Sequence, residues 1–207
     1  MLYKANITVS NQQTPKKYRA FRPKFIQLLG RYFLKAFNWR VEGSIPATTD
    51  NQNIIIIISP HTSNWDGIFG FAALLGLDAK ITFFGKHSLF KQPILGVFLK
   101  YMGGIPVDKS KPGSGLTDIA IKNMSKLSGS LLAMAPEGTR AKTEKLKSGF
   151  LRIAHATEGK VFLAAFDFEN KKILLDSFFE ISGDYERDIA YVREYYTNFQ
   201  GKYPENY

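Results

Sequence analysis

Five consecutive isoleucines, residues 54–58, constrain the fold more than any other stretch of this chain. An unbroken β-branched run of that length is the signature of a buried strand. Pro60 stops it, and His61-Thr62-Ser63-Asn64-Trp65-Asp66 follow before an apolar run at 68–77. An imidazole therefore sits where a core strand turns into a helix, with a carboxylate five residues on. Five residues on a regular helix rotate by about 500°, so His61 and Asp66 meet only if a turn precedes the helix. A histidine held by a carboxylate is a general-base arrangement. The same stretch has a plainer use, in which Ser63 or Asn64 caps the helix and Asp66 complements its dipole, but a cap does not require the histidine.

Downstream, the pattern alternates. A strand is expected at 80–84, closed by Gly85-Lys86, then a helix over 88–101 interrupted at Pro93, with Leu89, Phe90, Ile94, Leu95, Phe98 and Leu99 on its apolar side. A short strand at 105–107 runs into Asp108-Lys109 and a polar loop through Gly115. A helix at 117–127 with Ile119, Ala120, Met124 and Leu127 inward precedes a strand at 130–135, which delivers Glu137-Gly138-Thr139-Arg140. A helix at 146–157, a hairpin of 161–168 with 172–181, and a last helix capped by Asp184 and running to Phe199 complete the chain. Alternation of this kind specifies an α/β fold: a single domain with a mostly parallel central sheet flanked by helices and a C-terminal antiparallel pair. Sites in such sheets gather at the carboxyl ends of strands. His61, Lys86, Asp108-Lys109 and Glu137 to Arg140 all stand just after expected strands, so they converge on one cleft.

Before the isoleucine run the chain has a different character. Residues 1–41 contain nine basic and no acidic residues, whereas the remainder holds 19 basic and 18 acidic. The net charge of +10 therefore belongs to one segment, which suits an anionic partner surface, lipid headgroups or nucleic acid. Within it, Phe21, Phe25, Leu28, Leu29, Tyr32, Phe33, Ala36 and Phe37 recur at helical spacing from near Pro23, flanked by Arg22, Lys24, Arg31 and Lys35. That is the pattern of an amphipathic N-terminal helix lying in a membrane interface, and equally of a surface helix whose apolar side packs on the core. The expected division is a basic membrane-associating segment at 1–41 and a catalytic domain at 42–207. No run reaches the roughly 18 apolar residues of a spanning helix, and the N-terminus lacks the pattern of a signal peptide; the expectation is a cytoplasmic protein peripheral to a membrane. Nucleic acid is not expected, because no reader motif is present and the aromatics follow a helical stripe rather than a stacking platform.

The absence of cysteine excludes disulfides and thiolate chemistry. No serine stands in a Gly-x-Ser-x-Gly elbow. Three scattered histidines give no metal set, and Gly113-Ser114-Gly115 lacks the ending of a phosphate-binding loop. His155 is expected to face solvent and His87 to be structural. What remains is a His–Asp pair without a nucleophile of its own, near several cations: a base for a hydroxyl carried by the substrate, with Arg140 suited to grip a phosphate.

These motifs resemble those of the glycerolipid acyltransferases, the family of 1-acylglycerol-3-phosphate and related lysophospholipid acyltransferases. His61-Thr-Ser-Asn-Trp-Asp66 is similar to its His-x₄-Asp motif, and Glu137-Gly138-Thr139-Arg140 to its Glu-Gly-Thr-Arg block. Gly104-Ile-Pro-Val-Asp108-Lys109 and Lys86-His-Ser-Leu-Phe-Lys91 resemble two further blocks, in the same order. The resemblance implies transfer of a fatty acyl group from acyl-CoA or acyl carrier protein to a lysophospholipid hydroxyl, with no further cofactor and no metal. It implies that His61 is the base and Asp66 its orienting partner. Lys86, Asp108, Lys109, Glu137, Gly138, Thr139 and Arg140 would contact the acceptor, Glu137 either touching it or organising its loop, and residues 16–40 would contact the membrane. Apolar residues from 69–77 or 83–98 would house the acyl chain, while most of those two stretches is expected to be core. Lys109 stands where the family usually has Arg, and the strand at 161–166 lacks a usual Pro. The same chemistry on another acceptor, such as a lyso-amino-acid lipid or a lipid A precursor, and a non-catalytic binding module are the alternatives.

Overall fold

The computed structural model describes residues 9–47, 52–108, 115–127 and 129–207. Seven strands, β1 (Arg40–Gly43), β2 (Ile54–Ser59), β3 (Ile81–Lys86), β4 (Gly104–Val107), β5 (Leu131–Met134), β6 (Lys160–Asp167) and β7 (Lys172–Phe179), form one sheet in the order β1-β7-β6-β2-β5-β3-β4. The isoleucine strand β2 is hydrogen-bonded in parallel to β5 on one side and β6 on the other. It has no solvent face, and a strand buried on both sides has no reason to alternate; Ile54 to Ile57 are at most 3% exposed. β3 and β4 run with it, whereas β7 returns antiparallel to β6 and β1 pairs parallel to β7. The mostly parallel sheet and its antiparallel final pair are as the sequence predicts.

Helices α1 (Lys24–Ala36), α2 (Asn64–Leu77), α3 (His87–Phe90), α4 (Pro93–Tyr101), α5 (Leu116–Met124), α6 (Gly149–Ala156) and α7 (Tyr185–Tyr196) cover the sheet. Ile54 and Ile56 share a core with Leu34 of α1 and Phe69, Ala72, Ala73 and Leu77 of α2. Ile55 and Ile57 point the other way, into a second core with Ala120, Phe150 and Val192 of α5, α6 and α7. On the first face α4 lies beside α2, its Phe98 meeting Phe71 edge-on at 5.4 Å, and Phe71 meeting Phe83 of β3 at 5.3 Å.

α1 turns the less apolar of its sides to the protein. Its buried residues are Gln27, Gly30 and Leu34, while Phe25, Leu29 and Tyr32 are 60–64% exposed. Gly30 explains the choice. A Cβ there would come 2.4 Å from Ala72 O and 2.8 Å from Gly76 N, so only glycine lets α1 cross α2 this closely. The apolar stripe therefore faces outward, except Phe33, which turns in against Phe69. Two of the four flanking cations are anchors rather than free charges. Arg22, 7% exposed, donates to Ala79 O and pairs with Asp78 at 3.7 Å, and Arg31 donates to Gly76 O. Lys24 and Lys35 remain exposed.

Other differences are local. β1 lies within a stretch with no strand signal, because its partner β7 is about 130 residues away and only Val41 is buried. α2 begins at Asn64, before Asp66, and Ile94 and Leu127, expected inward, are 88% and 54% exposed. Among the described residues no helix is long and apolar enough to cross a membrane.

Candidate active site

β2, β3, β4, β5 and β6 all end at one edge of the sheet, and the pairing keeps their ends level: Ile57 opposite Met134, Ser59 opposite Ala165, Lys86 opposite Val107. His61 leaves β2, Glu137 to Arg140 leave the adjacent β5, Lys86 ends β3 and Asp108 follows β4. With strands about 4.8 Å apart, these groups lie in a row along that edge. Lys109, the fifth expected position, lies outside the described residues.

The chain leaves β2 through a cis Ser59–Pro60 bond and turns before α2. Ser63 caps the helix, accepting from Trp65 N at 2.9 Å, and Asp66 closes a capping box by accepting from Ser63 N at 2.8 Å. This turn achieves what a continuous helix cannot. It folds the His61 ring back so that Nδ1 lies 3.0 Å from Asp66 Oδ2. Asp66 is fully buried, and the His61 side chain is 23% exposed. With Nδ1–H donated to the carboxylate, the lone pair is left on Nε2. The cap and the His–Asp pair are thus one structure, and Asp66 serves both.

Glu137 holds the same loop from the neighbouring strand. Its Oε1 accepts from Ser59 Oγ at 2.5 Å and from His61 N at 2.9 Å, while Oε2 is buried with no hydrogen-bond partner among the described residues. Burial accordingly pushes its carboxyl above the usual carboxylate range, against the opposing pull of the Ser59 hydroxyl. Of the two roles expected for Glu137, contact with an acceptor or organisation of its loop, the second fits its geometry: at 4% exposure it holds the backbone that carries His61. Gly138, with φ +64, makes the turn toward the exposed Thr139 and Arg140. Lys147 lies over that turn, so close that a Cβ at 138 would come 2.9 Å from Nζ. Lys86 and Arg140 are exposed and Asp108 is half-buried. His87 is an exposed residue at the start of α3 and His155 faces solvent.

Residues that carry no motif complete the site. Thr62 Oγ1 accepts from Tyr203 N at 3.2 Å, and a Cβ at Gly201 would come 2.7 Å from Thr62 Oγ1 and 3.2 Å from Pro60 Cβ. Below them, the buried Tyr196 hydroxyl donates to the backbone of β2 and β6, at Ile57 O and Ala164 O. Burial raises the Tyr207 phenol, and the nearby Glu137 carboxylate adds to the effect. Residues 196–207 thus buttress the His61 loop from behind. Lys147 and this buttress have no local signature in the sequence.

Of the two stretches expected to house an acyl chain, 69–77 is mainly core, with Phe69, Ala72, Ala73 and Leu77 buried. In the second, Gln92, Pro93, Ile94, Leu95 and Phe98 line an open apolar hollow of about 510 Å³. Among the described residues no three His, Asp or Glu side chains are placed to hold a metal ion.

Comparison with known proteins gives concordant results. A family model described as Acyltransferase matches residues 39–165. A 1-acyl-sn-glycerol-3-phosphate acyltransferase of Streptococcus pneumoniae is 26% identical over 131 residues, 59% of this chain and 47% of that protein, so the chain spans about half the length of this relative. In fold, the chain is similar to the crystal structure of a 1-acyl-sn-glycerophosphate acyltransferase from Thermotoga maritima, with a TM-score of 0.58 at 21% identity over 84% of this chain and 76% of that one. The buttress at 196–207 lies beyond the residues that the family model matches.

Proposed function

The chain belongs to the Acyltransferase family, and from that premise we propose that it moves a fatty acyl group from a thioester donor, acyl-CoA or acyl carrier protein, to a hydroxyl of a lysophospholipid of the 1-acylglycerol-3-phosphate type. The observation that carries this reading is the His61–Asp66 pair, with Nδ1 held at 3.0 Å by a buried carboxylate while the ring stays partly open at the strand edge. Such a base needs a nucleophile, and the hydroxyls beside it are engaged elsewhere: Ser59 with Glu137, Thr62 with Tyr203, Ser63 in the helix cap. The attacking oxygen therefore belongs to the acceptor.

Nε2 of His61 takes the hydroxyl proton as the oxygen attacks the thioester carbonyl carbon. Collapse of the tetrahedral adduct breaks the C–S bond, and the imidazolium returns its proton to the leaving thiolate. The products are an ester and a free thiol, and no acyl-enzyme forms. Backbone N–H groups at the start of α2 are the candidates for the oxyanion. Arg140, with Lys86, Gly138 and Thr139 along the same edge, would bind the acceptor phosphate, and Lys109 would join them. Residues 16–40 would hold the protein to the inner face of the membrane, where its acceptor resides.

The test uses purified protein, an acyl-CoA or acylated carrier protein, and a panel of lysolipids with and without phosphate, followed by thiol release and product mass. His61→Ala should lower transfer by about 10²–10⁴-fold with an unchanged unfolding transition. A folded variant that transfers at the wild-type rate overturns the mechanism. Transfer to a lyso-amino-acid lipid in preference to phosphate-bearing acceptors overturns the acceptor class.

A further inference from the structure

Exposed apolar surface and charge are distributed unevenly over the molecule. Among the described residues fourteen large apolar side chains are exposed, and eleven of them belong to α1 and its two flanks, α2 and α4, the others being Leu127, Tyr191 and Tyr203. α4 contributes Ile94, Val97 and Tyr101, which are 88%, 69% and 52% exposed. Their spacing of three, then four, puts them on one side of that helix. Soluble surfaces carry scattered apolar residues, but a concentration on one helical layer marks an interaction site.

Charge follows the same division. Between Asp78 and Asp108 the chain has no acidic residue, while Lys80, Lys86, Lys91 and Lys100 are all exposed. The carboxylates that do belong to this layer, Asp66 and Asp78, are 0% and 2% exposed. Up to residue 107 the one described acidic side chain that reaches solvent is Glu42, at the sheet edge in β1, paired with Arg40 and Lys172. The opposite face differs: α7 exposes Glu186, Arg187, Arg193 and Glu194, both signs mixed.

The segment entering α1 meets the end of α4. Arg22, just before α1, places its guanidinium 5.6 Å over the ring of Tyr101 at the end of α4. Between them α2 starts with Trp65 and Ile68, 37% and 42% exposed, and Trp65 lies 6.3 Å from Phe37 at the end of α1. We infer that α4 is a second lipid-contacting element, forming with α1 one continuous face that rests on a bilayer rich in anionic phospholipid. Ile94, Val97 and Tyr101 enter the headgroup–acyl boundary, and Lys91 and Lys100 meet lipid phosphates. Because the first turn of α2 follows His61 directly, this face brings the mouth of the site to the membrane. The inference rests on the proposed action on lysolipids for its purpose, but its test needs no turnover.

The full chain is mixed with vesicles of phosphatidylcholine, with and without phosphatidylglycerol, and the bound fraction is read by flotation. I94S/V97S changes two exposed positions, so its unfolding transition should match the wild type, while its partitioning weakens at least about tenfold. K91Q/K100Q should lose about fivefold per lysine on anionic vesicles and nothing on neutral ones. F25S/L29S, on α1, provides the reference loss. Wild-type binding by I94S/V97S beside a clear loss in F25S/L29S overturns the role of α4. Sedimentation of the same variants identifies the rival occupant: if I94S/V97S turns a dimer into a monomer without changing vesicle binding, the face is a contact between copies and the inference fails.

Discussion

Asp66 has two duties, and replacing it by Asn separates them. Its Oδ2 receives Ser63 N at 2.8 Å and His61 Nδ1 at 3.0 Å, and its Oδ1 receives Ser63 Oγ at 3.2 Å. An amide oxygen placed at Oδ2 keeps the first two bonds, and the NH₂ group then faces Ser63 Oγ, whose own proton must turn away. The structural loss is one hydrogen bond, about 0.5–1.5 kcal/mol, which for a chain of this size lowers Tm by roughly 2–4 °C per kcal/mol. The electrostatic loss is larger. A full negative charge beside the imidazolium of the reacting complex, near 4 Å between charge centres and partly shielded, is worth up to about 4 kcal/mol. Asp66→Asn should therefore cut kcat/KM by about 30- to 1,000-fold, that is about 2–4 kcal/mol in the barrier, while the protein remains folded. Ser63→Ala is the control: it removes the cap oxygen at a cost of about 1 kcal/mol but leaves the carboxylate in place, so most activity survives. The two variants are compared by thermal unfolding and by thiol release from acyl-CoA at saturating lysolipid. If Asp66→Asn stays within threefold of the wild-type kcat/KM, the charge has no part in catalysis and Asp66 is only a cap.

Three further outcomes are expected. Because burial raises the Glu137 carboxyl, the folded state binds its proton more tightly than the unfolded chain; stability from this group is complete below the ordinary carboxylate value and is lost as pH rises through the raised one. Glu137→Gln removes that loss, so its Tm relative to wild type should climb with pH across the window, and a pH-independent offset between the two melting curves would refute the assignment. Gly201→Ala drives a Cβ to within 2.7 Å of Thr62 Oγ1 and should cost about 1–3 kcal/mol in chemical denaturation, with a drop in kcat from displacement of the His61 loop; unchanged stability and rate would show that the buttress yields freely. Arg140→Ala should raise KM at least about tenfold for phosphate-bearing acceptors and leave phosphate-free ones unaffected, so an equal change for both classes in initial-rate assays excludes a phosphate contact.

Much of the site is legible in the sequence because its determinants are local. Pro60 ends the strand, Ser63 and Asp66 write the capping box, and the turn between them is what allows Nδ1 of His61 to reach Asp66. Asp184 announces α7 in the same way, accepting from Glu186 N and Arg187 N. Glu137 shows where local reading stops. Its motif marks it as polar and near the site, but only the adjacency of β5 and β2 turns its carboxylate toward Ser59 and the His61 backbone.

Ile54 to Ile58 by themselves determined a strand with no solvent face, and the alternation of strands and helices after it determined a layered α/β molecule. Periodicity likewise determined that α1 has an apolar stripe. Which side of α1 meets the protein was decided only in three dimensions, by the backbone-to-backbone approach of Gly30 to Ala72 and Gly76, which a stripe of larger side chains cannot match. The buttress of Gly201 and Tyr203 behind Thr62 was likewise invisible, since about 140 residues separate the partners. Caps and turns act within a few residues and are written in order along the chain; close packing and long-range hydrogen bonds act across space, and their partners become neighbours only once the sheet has formed.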